Sequence, residues 1–189
     1  VNARSNRRVL PPAPCFVDRV SAPFGAVAAY YFLEPRFRVQ CVQLPGGKRP
    51  GTGARPRRCA RLHRILAAFP NHPPEDAFCE QELLPETISP FRRAVLMTLH
   101  RETAPGTVVT YERLARLCGR NGAARAVGTA MAANPVPLFI PCHRVVRSDG
   151  TPGCFQGGTG RGARLKRTLL SLEGIRFDEK GRIPGRHFL

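Results

Sequence analysis

The sequence predicts an α+β fold: a small N-terminal antiparallel sheet with one helix in residues 1–88, then a mostly helical, helix-turn-helix (winged-helix-like) unit in 89–189. Three observations predict it. Between Cys15 and Leu44 the pattern is strand-like, and "RFRVQCVQL" alternates polar and apolar residues. From Ser89 onward apolar residues recur every three to four positions. Between Thr110 and Ala133 two helical stretches flank a short glycine-containing turn, the spacing of a helix-turn-helix.

Taken in order, the first dozen residues read as a loose basic arm. "CFVDRVSAPFGAVAAYYFL" reads as two strands about a turn at Ala22–Gly25, and "RFRVQCVQL" as a third. "PGGKRPGTGARPRR" is Pro, Gly and Arg without periodicity, hence a loop. "CARLHRILAAF" has helical spacing, and "PNHPPED" ends it. Ser89 and Pro90 are suited to the N-cap and first position of the next helix, with Phe91, Val95, Leu96 and Leu99 on its apolar face. After the turn "TAPGT", Thr110 can cap "YERLARLCG", on which Glu112 and Arg116 are spaced to pair at i,i+4. Gly119 closes that helix, "AARAVGTAMAA" forms the next, and Asn134–Pro135 stop it.

The balance of 30 basic against 13 acidic residues gives a net charge of +17. A domain needs no such excess for solubility, so a polyanionic partner is expected. The charge is +6 over 1–88 (13 basic, 7 acidic) and +11 over 89–189 (17 basic, 6 acidic), so the second half is the better nucleic-acid surface. Nearly all the cations are Arg, which suits forked contacts to phosphate. No run of about 18 apolar residues occurs, which argues against a spanning helix. The first fifteen residues have no apolar stretch long enough for a secretory signal, and seven scattered cysteines show no disulfide rhythm, so intracellular thiols are expected. Cys59 and His63, with His72 and Cys79 beyond, fit no strong zinc spacing, and ordinary surface and core residues is the preferred reading.

Two stretches carry chemistry. In the second helix of the helix-turn-helix, Ala123, Ala124, Ala126, Gly128 and Ala130 are small, and only Arg125 projects far from the first turn. Major-groove readers present amide and hydroxyl side chains to base edges, and this helix has almost none. Its composition suits a shallow, sequence-tolerant contact such as the minor groove, with one inserted side chain. The second stretch is "IPCHRVVRSDG", which sets Cys142, His143 and Arg144 side by side. A free thiol is only a few per cent ionised at neutral pH, and an adjacent imidazole oriented by a carboxylate would activate it. Acids are scarce here: Asp149 lies in a Gly turn and reads as a turn former, while Glu173 ends an otherwise apolar helix and needs an internal partner or solvent. The residues alone leave a Cys-His-Glu nucleophile, a Cys-dependent hydrolase and a structural thiol all open.

"IPCHRVV", preceded by "NPVPLF", resembles the active-site block of the O6-alkylguanine-DNA alkyltransferases (methylated-DNA–protein-cysteine methyltransferases). The resemblance runs from about Ser89 to Gly174 through "GTVVTYERLA", "GAARAVGTAMAANP" and "LEG"; before it, only "SAPFG" and the strands around it are similar. It implies direct-reversal repair, in which the alkyl group of O6-alkylguanine, and of O4-alkylthymine, passes irreversibly to Cys142. His143 would deprotonate the thiol through a water, Glu173 would hold His143, Asn134 would brace the loop, and Tyr111 would protonate the leaving purine. Arg125 would enter the duplex where the base is flipped out, with Ala124, Ala126, Thr110 and Ser148 also against DNA. Val145, Phe155, Gln156 and Met131 would form the substrate pocket, the Val145 carbonyl and the Gln156 N–H as backbone contacts. Phe155 stands where the family usually has Tyr, and Cys154 is a second thiol read as a bystander.

The implied partner is double-stranded DNA bearing the lesion, with the protein monomeric, no membrane and no required cofactor. Localisation would be cytoplasmic and nucleoid-associated in a prokaryote, nuclear in a eukaryote. The alternatives are a non-catalytic lesion sensor, against which the intact Cys142 argues, and a Cys-dependent hydrolase.

Overall fold

A computed structural model describes residues 15–33, 36–47, 53–71, 78–156, 158 and 160–189. The basic arm, part of the Pro/Gly/Arg loop, and His72 with its neighbours lie outside these residues. The N-terminal half forms a four-stranded sheet of order β3-β2-β1-β4 from β1 (Phe16–Ala22), β2 (Gly25–Phe32), β3 (Arg38–Gln43) and β4 (Arg55–Pro56). Strands β1 and β2 join through a two-residue turn with Ala22 opposite Gly25, which has φ +120, a value that suits glycine. The sheet is mixed rather than purely antiparallel, because β4 adds to β1 in parallel after the long intervening loop. Both faces of β2 are apolar and buried: Val27, Ala29 and Tyr31 face the main core, and Ala28, Tyr30 and Phe32 a smaller cluster on the other face.

Helix α1 (Ala60–Ala67) follows, then the short α2 (Glu80–Leu83), which sequence reasoning missed. In the C-terminal half α3 (Pro90–Glu102) opens on Ser89, whose Oγ accepts from the Arg92 N–H at 3.4 Å. Val95, Leu96 and Leu99 are fully buried, and Phe91 is half-buried. Then come β5 (Val109–Thr110), α4 (Tyr111–Leu117), α5 (Ala124–Ala132), a 3-10 turn (Cys142–Arg144), β6 (Val145–Val146) and α6 (Arg161–Leu172). Thr110 caps α4 by accepting from the Arg113 N–H at 3.0 Å. Glu112 does not pair with Arg116. Its carboxylate accepts from the Gly122 N–H at 3.3 Å, tying α4 to the turn before α5, where Gly119 and Gly122 both have positive φ.

One apolar cluster runs through both halves, from Val27, Leu62 and Phe69 to Leu96, Val136 and Ile140. A backbone hydrogen bond from Val42 N–H to the Pro135 carbonyl (2.8 Å) links β3 to the segment after α5. Among the described residues no helix is long and apolar enough to cross a membrane.

Candidate active site

Two short strands place the reactive groups. Strands β5 and β6 pair in parallel, Val109 with Val145 and Thr110 with Val146. That pairing brings Tyr111, first residue of α4, beside the 3-10 turn that carries Cys142. The turn is fixed by backbone bonds from Cys142 N–H to the Ile140 carbonyl and from Arg144 N–H to the Pro141 carbonyl, both 2.8 Å. Asn134 spans the preceding loop: its Nδ2 donates to the Ile140 carbonyl (2.8 Å), and its Oδ1 accepts from Val136 N–H (3.1 Å).

Cys142 sits in a cavity of about 240 Å³ whose lining includes Tyr111, Gly128, Met131, Asn134, Phe155 and Gln156. Burial pushes its thiol pKa up; the Asn134 side chain, the Lys166 ammonium and backbone N–H groups pull it back. His143 is buried behind it, with Nε2 2.8 Å from Glu173 Oε1. The other ring nitrogen, Nδ1, is buried and meets no hydrogen-bond partner among the described residues. Burial lowers the imidazole pKa despite the Glu173 charge, so the ring is neutral at pH 7 and able to take a proton.

Glu173 has a second partner that the sequence did not reveal. Arg144 is wholly buried and grips the carboxylate through Nε (3.0 and 3.2 Å) and Nη2 (2.8 Å), while its Nη1 donates to the Thr103 carbonyl. Burial opposes the anion, but His143 and Arg144 together more than offset it and hold the carboxyl at about 2. Because that value lies below the unfolded one, the group contributes stability above about pH 4.3 that is lost as pH falls towards 2. Glu173→Gln is therefore expected to flatten the acid limb of a urea-unfolding pH profile between about 4.3 and 2. An unchanged limb would count against this assignment.

Lys166 was also missed. It replaces an apolar residue on the buried face of α6 beside Leu165, Leu169 and Leu170, a break in the pattern that could have flagged it. Its Nζ donates to the Val145 carbonyl at 2.6 Å, and burial lowers its pKa to about 8, partly countered by the nearby thiols of Cys142 and Cys154. Val145 does not line the cavity: its side chain is fully buried, and its carbonyl carries this ammonium. At the rim, Gln156 has φ +50, an uncommon value for a residue with a side chain. Phe155 is clamped by α6: a Cβ on Gly162 would lie 1.9 Å from its carbonyl oxygen.

Arg125 is exposed on the first turn of α5, next to exposed Ala126 and half-buried Ala124; Thr110 is half-buried and Ser148 exposed. Arg113, Arg116, Arg120 and Arg147 are exposed as well, so these cations are available to a polyanion. In the N-terminal half the Cys59 N–H donates to Asp18 Oδ2 (3.0 Å), and His63 Nδ1 lies 3.7 Å from Asp18 Oδ1. Cys79 caps α2. No group of three or more His, Cys, Asp or Glu placed to hold a metal occurs among the described residues, and His72 lies outside them.

Residues 90–175 match the family model described as 6-O-methylguanine DNA methyltransferase, DNA binding domain. Over this segment the chain is similar to that family. Over 85 residues the chain is 52% identical to the methylated-DNA–protein-cysteine methyltransferase of Rattus norvegicus, a match covering 45% of this chain and 39% of the rat protein. The chain thus spans about two fifths of that relative's length. The likeness in fold extends beyond this segment into the N-terminal half. The crystal structure of Mycobacterium tuberculosis OGT in complex with DNA aligns with a TM-score of 0.61 at 25% identity, covering 84% of this chain and 92% of that one. The O6-methylguanine-DNA methyltransferase of Pyrococcus kodakaraensis aligns at 0.65 and 24% identity, covering 86% and 100%.

Proposed function

We propose that this protein is a single-turnover DNA-repair methyltransferase that moves the alkyl group of O6-alkylguanine, and of O4-alkylthymine, in duplex DNA onto Cys142. The observation that carries the reading is the His143 ring. One nitrogen is fixed by a buried, ionised Glu173, and the other, on the residue next to Cys142, is buried without a hydrogen-bond partner among the described residues. A water at Nδ1 relays the thiol proton to the imidazole, and Glu173 stabilises the imidazolium that forms. Lys166 favours the thiolate through its charge.

The lesion must leave the stack to reach a buried sulfur, at a cost of a few kcal/mol that is smaller for a badly paired base. Arg125 fills the gap, while the small side chains of Ala124 and Ala126 let α5 lie close to the groove. Thr110 and Ser148 contact the backbone. In the cavity, Met131 and Phe155 pack on the purine, the Gln156 N–H donates to O6, and the Cys142 carbonyl accepts from the exocyclic amine. The sulfur then forms a bond to the alkyl carbon as the carbon–O6 bond breaks. The electron pair stays with guanine, and the Tyr111 hydroxyl supplies the proton its ring takes up. Burial raises the Tyr111 pKa, which keeps that proton on the hydroxyl until it is needed. The product thioether carries no leaving group of use to water, so one molecule acts once. No cofactor enters any step, the protein acts as a monomer, and its setting is intracellular.

A duplex carrying radiolabelled O6-methylguanine tests this. Label is expected on the protein at no more than one equivalent. Release to water would mean a hydrolase, and binding without transfer a sensor. Arg125→Ala should slow repair in duplex about ten- to a hundredfold, the loss of part of the extrusion energy. Reaction with free O6-benzylguanine should fall far less, and equal losses on both would remove the inserted role.

A further inference from the structure

The cavity wall opposite the helix-turn-helix comes from the N-terminal sheet, through one side chain. Val42, on β3, lines the same space as Cys142, Pro137, Phe155 and Gln156. Its backbone is held from both sides. It pairs with Ala29 of β2, and its N–H donates to the Pro135 carbonyl at 2.8 Å, two residues before Pro137. Behind it the chain turns at Leu44–Gly47, closed by Gly47 N–H to the Leu44 carbonyl (3.0 Å) and by Gln43 Nε2 to the Gly47 carbonyl (2.8 Å). That turn packs beside the rim, where a Cβ on Gly47 would lie in ordinary contact, 3.6 Å from Gln156 Nε2. These hydrogen bonds brace the wall, and a β-branched side chain has few rotamers with which to yield.

We infer that Val42 sets the upper size of the alkyl group this protein accepts. The inference rests on the repair reading above and adds to it the substrate range. The base is taken up between Tyr111 and Met131 on the helical side, so what projects from O6 past the sulfur meets Val42 and Pro137. The whole cavity, about 240 Å³, is at or below the small end of the range for ligand pockets, about 300–1,000 Å³. A methyl group fits beside this wall, and a benzyl group presses on it.

The test measures single-turnover transfer from two duplexes that differ only in an O6-methyl or O6-benzyl guanine. It uses the wild-type chain, Val42→Ala and Val42→Ile. The benzyl-to-methyl rate ratio is internal to each protein, so a loss of folded material cancels. Val42→Ala should raise that ratio about tenfold or more, and Val42→Ile should lower it, following the usual discrimination per methylene in an apolar pocket. If the wild type transfers methyl but the ratio is the same in all three proteins, Val42 has no such role and the repair reading stands. If the wild type transfers neither group, the repair reading fails, and this inference with it.

Discussion

Cys142→Ser is expected to bind a lesion-bearing duplex and to transfer nothing, a loss of at least about 10⁴-fold in rate. The substitution keeps the size and polarity of the side chain, so the 3-10 turn, the Asn134 bridge and the Glu173–His143 bond all have reason to persist. What disappears is the acidity and polarisability of sulfur. Burial already opposes ionisation at this position, and only a group as acidic as a thiol can be deprotonated there by a neutral imidazole. Gel shift and intact mass after mixing with methylated duplex provide the check. A methyl adduct that survived the substitution, mapped to Cys154 or another cysteine, would place the acceptor elsewhere.

Arg144→Leu is expected to cost about 3–5 kcal/mol of stability, read as a lower urea midpoint at constant slope. The guanidinium is completely buried and supplies three of the four contacts on the Glu173 carboxylate, besides satisfying the Thr103 carbonyl. Removing it leaves an anion out of water with only a neutral imidazole for company. Pairing the change with Glu173→Leu should recover part of the loss, because the uncompensated charge goes with it. A cost below about 1 kcal/mol in the single variant would mean that Glu173 finds another partner or solvent.

Legibility in the sequence followed the strength of local signals. Ser89–Pro90, Thr110 and the Gly119–Gly122 turn are chemical punctuation, and the helices they bound lie where expected. The three leading strands were legible because β-branched and aromatic residues run up to and away from a turn signal at Ala22–Gly25, and the third stretch mixes polar and apolar positions. Strand β4 was not, since two residues, one of them proline, carry no period and owe their place to a distant partner. The i,i+4 spacing of Glu112 and Arg116 suggested a pair, but a backbone N–H in the adjoining turn competed successfully for the carboxylate. At the site, Cys142, His143 and Glu173 were found by reactivity and scarcity. Arg144 and Lys166 were overlooked because in a chain with 30 basic residues a cation draws no notice; nothing local says that Arg144 turns inward, and only the interrupted apolar face of α6 marks Lys166. Val42 looked like any other apolar strand residue; only the docking of β3 on Pro135 makes it part of the cavity.

The apolar cluster that joins Val27 and Phe69 to Leu96 and Ile140 has a consequence for how the molecule comes apart. Neither end of the chain keeps a closed interior once the other opens, so the protein should melt as one body rather than shed its strands first. The shelter given to a single sulfur is then only as durable as a hairpin more than a hundred residues upstream.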